Sequence, residues 1–408
     1  MTPTTQGKKA WAPPTARRLF ISTGCSSADV LTAPLLAELT RRGLMEETIA
    51  VGGEPLRDAG ATMLGDSTPW STIGTAQGIG MFLRSGWRVF QTLRQIDREF
   101  KSRPPDLAIL VDNAGINFRI LSIARRHRIP VLYYVPPETW SVWSFEWSGV
   151  RKARPEVAAI FPSQIEDYRQ CGIEARWIGH PIIDLVERWP TASETVPEDP
   201  LISLFPGSRR QEVTELLRPM LEAASLIQQR LPHARFVVGV ANPLAERIID
   251  EELKRTSLAV ETRYRQTYAL LSESHLALAC SGTVTLEAAL LGVPSVAMYR
   301  LRSVIDNLVQ RTFLPRSQHP YFSLPNVLLR RAVLPELRNH EVTPEGICEA
   351  AWPLLQNDER RAGVLQHLSE IQPILGSAGA VHRAADLAQQ MLESSRDIAK
   401  NRRPPRAA

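Results

Sequence analysis

Between Leu276 and Tyr299 the chain reads as an apolar run, LALAC, then the small-residue turn Ser281-Gly282-Thr283, a short helix carrying Glu287, and a second apolar run after Gly292 and Pro294. Strand, turn, helix and strand in this order make one βαβ unit, whose strands pair in parallel. That unit constrains the fold because the same period recurs on both sides of it. In the first half, apolar runs at Leu19–Thr23, Ile49–Val51, Leu107–Val111, Val131–Val135, Val157–Ile160 and Trp177–Ile178 read as strands. Helical patterns lie between them, over Val30–Arg42, within Trp70–Phe100 and up to Arg125. The series restarts at Ile202–Phe205, continues through a long amphipathic helix to Arg230 and a strand at Arg235–Val240, and has a further strand near Leu258–Thr262. The expected fold is α/β, with two Rossmann-like, doubly wound parallel-sheet domains and a cleft between them.

At 408 residues the chain is long enough for two cores. The expected divisions are a disordered lead over 1–17, a first domain over 18–187, a polar, proline-rich linker over 188–200 and a second domain over 201–365. A helical segment over 366–395 and a basic, disordered tail over 396–408 follow. The formal net charge is +5, and part of the excess sits in the two ends, which is too mild a balance to indicate nucleic acid. It is compatible with an anionic membrane surface or a phosphorylated substrate. Four scattered cysteines form no CxxC pair, so a reducing compartment and no structural zinc are expected. The N-terminal stretch lacks the apolar segment of a secretory signal, and no run of about 18 apolar residues occurs, so a cytoplasmic location without a membrane span is expected.

The turn Ser281-Gly282-Thr283 offers hydroxyls and backbone N–H groups at a helix N-terminus, where a phosphate can bind, although an ordinary buried βα corner has the same sequence. Gly207-Ser208-Arg209, after the strand Ile202–Phe205, offers a second such turn, and Arg209 and Arg300 are forks able to grip a diphosphate. Glu287 can accept hydrogen bonds from ribose hydroxyls. Together these describe a nucleotide-diphosphate pocket. Neither GxxxxGK[ST] nor GxGxxG occurs, which argues against a Walker nucleotidase and an NAD enzyme. No Asp-x-Asp pair occurs, so no metal and no other cofactor is expected, and arginine and helix ends carry the leaving-group charge. Asp112, at a strand end in the opposite half, is the best-placed general base, with a helix-capping role as its alternative. Asp29 lies at another strand end of that half. His180 and His319 read as hydrogen-bonded structural histidines rather than catalytic ones.

In the second half three further segments join this one. PGSRRQEV (Pro206–Val213), CSGTVTLEAALLGVPSVAMYR (Cys280–Arg300), YFSLPNVLLRRAVLPEL (Tyr321–Leu337) and LGSAGAVHRAA (Leu375–Ala385) follow in order. With AVGGEPLRDAG (Ala50–Gly60) and WIGHPIID (Trp177–Asp184) in the first half, the chain resembles the lipid-A-disaccharide synthase family from about Leu19 to Leu392. The resemblance implies a GT-B architecture and an inverting, metal-independent glycosyl transfer. The donor would be UDP-2,3-diacylglucosamine, the acceptor lipid X (2,3-diacylglucosamine 1-phosphate), and the product the β-1,6-linked lipid A disaccharide. It assigns the UDP-sugar to Gly207, Ser208, Arg209, Ser281, Gly282, Thr283, Glu287, Tyr299, Arg300 and Asn326, and catalysis to Asp112. Ser27, Asp29, Asn117 and Trp140 fall on the acceptor side. A membrane surface on the inner face of the cytoplasmic membrane is the implied partner, and a homodimer is compatible with the family.

Departures from the family pattern lie in the first half. The GE-x-SGD segment is here Gly24-Cys25-Ser26-Ser27-Ala28-Asp29, with Cys25 for the glutamate and Ala28 for the second glycine. The D-x-P-D-F-N segment is Asp112-Asn113-Ala114-Gly115-Ile116-Asn117, with Gly115 for the second aspartate. YVSPSVWAW is Tyr134-Val135-Pro136-Pro137-Glu138-Thr139-Trp140. The donor side is thus kept and the acceptor side altered. That leaves two rivals, a UDP-sugar transferase with another lipid acceptor and a nucleotide-sugar-binding homologue without catalysis. For membrane contact the segment Met81–Phe90 mixes bulky apolar residues with arginines, as interfacial helices do, or is a core helix whose arginines snorkel. Trp140, Trp143 and Trp147 form a second aromatic cluster, part of which the core could claim.

Overall fold

The computed structural model describes residues 17–66, 79–137, 147–191, 195–300 and 320–401. Two wholly parallel sheets form. The first has seven strands in the order β3-β2-β1-β4-β5-β6-β7, from β1 (Arg18–Thr23), β2 (Glu47–Gly52), β3 (Thr62–Asp66), β4 (Leu107–Val111), β5 (Val131–Tyr134), β6 (Glu156–Ala159) and β7 (Ala175–Trp177). The second has six in the order β10-β9-β8-β11-β12-β13, from β8 (Leu201–Phe205), β9 (Arg235–Val240), β10 (Val260–Tyr264), β11 (Leu276–Cys280), β12 (Ser295–Tyr299) and β13 (Glu336–Arg338). Every residue of β1, β4, β8 and β11 is buried, as expected of central strands covered by helices on both faces.

Each sheet reverses its winding once, between β1 and β4 and between β8 and β11. At such a switch point the following helices leave to opposite faces and open a crevice at the carboxyl ends of the strands, where α/β proteins bind ligands. In the first sheet, β1 feeds α1 (Ser26–Arg41), and β4 feeds α4 (Ala114–Arg126). In the second, β8 feeds α8 (Arg210–Arg230), and β11 feeds α11 (Thr283–Leu290). Between them come α2 (Glu54–Asp58), α3 (Ile79–Ser102), α5 (Trp147–Ala153), α6 (Pro162–Gln170), α7 (Ile182–Val186), α9 (Pro243–Leu253) and α10 (Thr267–Glu273). After β12 follow α12 (Leu324–Leu329), α13 (Pro344–Gln356), α14 (Asp358–Ser369), α15 (Ile371–Leu375) and α16 (Ala380–Asn401).

Two edge strands have no counterpart in the expected series. β3 and β13 each have one neighbour, and their residues are exposed or half-buried, so no apolar run announces them. The first helix begins at Ser26 rather than Val30, which draws Ser27 and Asp29 into its first turn.

The last helix returns to the first half. Asp184 takes the backbone N–H groups of Gly379 (2.6 Å) and Val381 (2.8 Å), and Arg42 on the far side pairs with Asp386 at 2.6 Å. Glu38 gathers Arg41, Arg42 and His382, and these donors hold its carboxyl down at about 2. His180, beside this junction, is buried and accepts the Ile182 N–H at 3.1 Å. Burial holds its ring pKa at about 3, so it is a neutral structural group, as its sequence setting suggested.

Candidate active site

The two switch points face each other across a cleft of about 1170 Å3 lined by both halves. From the second half it receives Gly207, Ser208, Arg209, Ser281, Gly282, Thr283 and Glu287; from the first, Cys25, Ser27 and Asp29. The cleft is closed at one side by polar contacts between the halves. Tyr264 donates to Glu54 at 2.5 Å, Arg265 pairs with Asp58 at 2.6 Å, and Asn242 Nδ2 reaches Ser26 Oγ at 3.4 Å.

The two turns of the second half are built differently. No side chain caps α11: Gly282 precedes its first turn in an extended conformation, and a Cβ added at Gly282 would meet nothing within 4 Å. Thr283 and Val284 at its start line the cleft, and among the described residues no side chain takes their N–H groups, an arrangement that favours an anion. The Ser281 hydroxyl donates to the Phe322 carbonyl at 3.1 Å, which ties the turn to the segment before α12. At α8 the N–H groups of the two residues that precede the helix, Ser208 and Arg209, are taken by a side chain. Glu212 Oε2 accepts both the Ser208 and Arg209 N–H groups at 3.1 Å, and Oε1 accepts from Arg209 Nη1 at 3.1 Å. Gly207 and Ser208 line the cleft as expected of donor-site residues, but the Ser208 N–H is spent on a carboxylate inside the chain. What this turn offers the cleft is the Arg209 side chain.

Glu287 is buried one turn into α11, and Tyr268 Oη donates to it at 3.2 Å. Burial, only partly offset by that bond, raises its carboxyl to about 7.

On the first-half side Asp112 follows β4 with φ 52°, and Asn113 comes next with φ 40°; Cys25 lines the cleft in front of them, and neither lines it itself. Two consecutive non-glycine residues in the left-handed region cost about 1–3 kcal/mol each and need surrounding bonds to persist. The bonds are present: the Asp112 carbonyl accepts from Tyr133 Oη and Asn117 Nδ2, both at 2.8 Å, and its N–H donates to the Val135 carbonyl at 3.0 Å. The carboxyl stands behind Cys25, whose thiol lies 3.8 Å from Asp112 Oδ2. Burial raises the Asp112 pKa, against the pull of the Asn113 N–H, Arg209 and Cys25. The Cys25 thiol is pushed up to about 11, first by burial and then by Asp112, so it is a neutral donor and not a nucleophile. Asp29 is buried beside it, accepting from Thr23, and burial raises its carboxyl to about 6. A Cβ on Gly53 would stand 2.6 Å from Asp29 Oδ2, so the Gly52-Gly53 turn is shaped around this carboxyl.

Several expected site residues are placed elsewhere. Asn117 is buried beneath Asp112: its Oδ1 accepts from Ser22 at 2.8 Å, and its amide holds the Val111 and Asp112 carbonyls, so it acts through Asp112 rather than on an acceptor. Asn326 is fully buried with every polar atom used. Its amide donates to the Leu334 carbonyl and Glu336, and its Oδ1 accepts from the Val333 and Leu334 N–H groups, all at 2.9 Å. With nothing left for a donor sugar, it pins the turn before β13. Tyr299 stacks 6.2 Å from Phe322, and Arg300 is exposed; neither lines the cleft. Trp140, Trp143 and His319 lie outside the described residues, as do the lead over 1–16 and the last residues of the tail. Trp147 is core, ringed by Phe118 and Tyr168.

Among the lining residues that sequence reasoning missed are Glu212, Tyr268 and Asn242. Glu212 left a signal as the glutamate three residues after Arg209, where a helix capping box places its acid, and Asn242 as the Asn before Pro243 that caps a helix start.

Comparison with known proteins decides which family uses this cleft. A family model described as lipid-A-disaccharide synthetase matches residues 19–389. The chain belongs to the lipid-A-disaccharide synthase family. A curated lipid-A-disaccharide synthase from Prochlorococcus marinus is 34% identical over 391 residues, covering 90% of this chain and 97% of its own. Among solved structures, the UDP-GlcNAc 2-epimerase of Neisseria meningitidis, solved with UDP-GlcNAc bound, superposes with a TM-score of 0.58. It is 14% identical over 91% of this chain and 100% of its own. The calicheamicin glycosyltransferase CalG4 superposes at 0.54, with 16% identity over 93% and 99%. These two share the fold, two Rossmann-like domains in the GT-B arrangement. As a lipid-A-disaccharide synthase family member, the chain is a glycosyltransferase of lipid A biosynthesis.

Proposed function

We propose that the chain transfers the 2,3-diacylglucosamine unit of UDP-2,3-diacylglucosamine to the 6-hydroxyl of lipid X. In this reading the donor diphosphate lies between the open N-terminus of α11 and the Arg209 guanidinium, with the ribose hydroxyls on Glu287. Asp112 takes the proton of the acceptor hydroxyl as its oxygen attacks C1 of the donor sugar. The bond from C1 to the diphosphate oxygen breaks on the opposite face, which inverts the centre, and Arg209 stabilises the negative charge that develops on UDP. The observation that carries the reading is the confrontation of the two halves across the cleft, with an uncapped helix N-terminus on one wall and, behind Cys25 on the other, a half-buried carboxyl whose pKa is raised. The neutral Cys25 beside Asp112, where the family has a glutamate, favours a second reading in which the donor is the same and the lipid acceptor differs.

The donor site is tested through pH. The folded Glu287 carboxyl, raised to about 7, holds its proton more tightly than in the unfolded chain, so ionising it in the empty site costs stability as pH rises through 7. Ribose hydroxyls bind the ionised form better. UDP affinity therefore falls about tenfold from pH 8 to pH 6 beyond the titration of UDP itself, and Glu287→Gln removes that extra fall. Calorimetry at the two pH values measures it; equal pH dependence in both proteins places the ribose elsewhere.

The lipid substrates require a membrane surface, and we place the enzyme peripherally on the cytoplasmic face of the inner membrane. Among the described residues no helix is long and apolar enough to cross a membrane. The helix α3 leaves Trp87 60% and Phe90 42% exposed, with Arg94 over the Phe90 ring at 4.4 Å. On the same helix Arg88 is exposed next to Trp87. An apolar tip beside cations suits an anionic interface. A Trp87→Ser/Phe90→Ser double variant is expected to bind phosphatidylglycerol vesicles about tenfold more weakly in a flotation assay. Undiminished flotation would move the membrane face off α3.

A further inference from the structure

The Glu212 carboxylate turns back over the residues that lead into α8. Its two oxygens divide their work, Oε2 holding the Ser208 and Arg209 N–H groups and Oε1 holding Arg209 Nη1. Gly207 makes room for it: its φ is +112°, and a Cβ there would stand 2.6 Å from both Glu212 Cβ and Oε2. The turn is pinned from its other side by Asn242, whose Nδ2 donates to the Ser208 carbonyl at 2.8 Å. The base of the Arg209 side chain is thereby fixed at its backbone N–H and its head at one Nη1. Among the described residues no other hydrogen bond or ion pair engages the guanidinium, which leaves Nε and Nη2 for a ligand. At the neighbouring turn no side chain among the described residues caps α11.

We infer that Glu212 is a positioning residue for donor binding: by holding the Ser208 and Arg209 N–H groups and one Arg209 Nη1, it fixes both the root and the head of Arg209 and directs that side chain into the cleft toward the diphosphate. This rests on the donor reading above. Preorganising a long, rotamer-rich side chain removes an ordering cost from the binding step, of about 0.5–1.5 kcal/mol for one side chain. It also sets the fork for bidentate contact, which a freely rotating guanidinium reaches less often. The opposing effect is repulsion between Glu212 and the incoming diphosphate. Glu212 already neutralises itself against Arg209 and two N–H dipoles, so positioning outweighs repulsion.

The test is a double-mutant cycle on UDP binding by calorimetry, with the melting temperature of each protein recorded. Arg209→Ala is expected to weaken UDP about 100-fold and Glu212→Gln about tenfold, while the double variant binds no more weakly than Arg209→Ala alone, because Glu212 acts only through Arg209. Losses that add in full, or UDP binding by Glu212→Gln as tight as wild type or tighter, would overturn the assignment. A merely structural cap would lower the melting temperature without this coupling. If Glu212→Gln does not fold, Arg209→Lys decides. It keeps the charge and the cap but not the fork, and is expected to lose about tenfold in UDP affinity; wild-type affinity in that variant rejects the aimed fork. Failure of the wild-type protein to bind UDP would instead reject the donor reading, a different outcome from any of these.

Discussion

Asp112→Asn lowers the rate of disaccharide formation by about 10²–10⁴-fold, the range for loss of a positioned general base, and leaves UDP affinity within about threefold of wild type. The reasons lie in how the residue is held. Asparagine has the same shape and tolerates the left-handed conformation that Asp112 adopts at φ 52°. The bonds fixing this corner use the Asp112 backbone carbonyl and N–H, which the substitution keeps. What disappears is the acceptor for a proton. Because burial raises the carboxyl above its ordinary value, the wild-type rate also falls on the acidic side as the base becomes protonated, and the variant lacks that limb. Product formation followed across pH in both proteins measures this. Full turnover in the variant would leave Asp112 as a helix-entry residue and move the base elsewhere in the first half.

Arg209→Ala is expected to reduce UDP affinity about 100-fold, near 2.7 kcal/mol, because it removes the guanidinium that the α8 turn carries into the cleft close to the α11 N-terminus. The loss extends to turnover, since the same guanidinium stabilises the leaving diphosphate. It is read by calorimetry with UDP and by the donor KM and kcat together. The side chain is 43% exposed and, among the described residues, bridges to Glu212 alone, so its removal costs the fold little. Unchanged UDP binding would mean that the α11 turn holds the diphosphate without help.

Much of this was legible in the chain because central parallel strands are buried on both faces and so appear as apolar runs. Leu107–Val111 and Arg235–Val240 match their strands residue for residue. The edge strands β3 and β13 were not legible, for the opposite reason: half-exposed strands such as ELR carry no apolar pattern. Motif position identified the switch-point turns but not the direction of each side chain. Asn326 and Asn117 sit in conserved-looking segments of the resemblance, yet both spend their amides on backbone. Asn326 does so because the turn before β13 leaves the Val333 and Leu334 N–H groups without strand partners. Glu212 had the reverse fate. It stood unassigned within PGSRRQEV, and the fold places it against the two N–H groups that the motif seemed to reserve for phosphate.

The account turns on what is made in this cleft, and one assay addresses that directly. The purified protein is incubated in detergent or vesicles with UDP-2,3-diacylglucosamine and lipid X, and the lipid product and UDP are measured together. The prediction is a β-1,6-linked disaccharide 1-phosphate formed in equal amount to the UDP released. UDP binding without any disaccharide, under conditions where the folded protein is intact, would contradict it and leave the altered acceptor side around Cys25 and Gly115 serving a different lipid or no transfer.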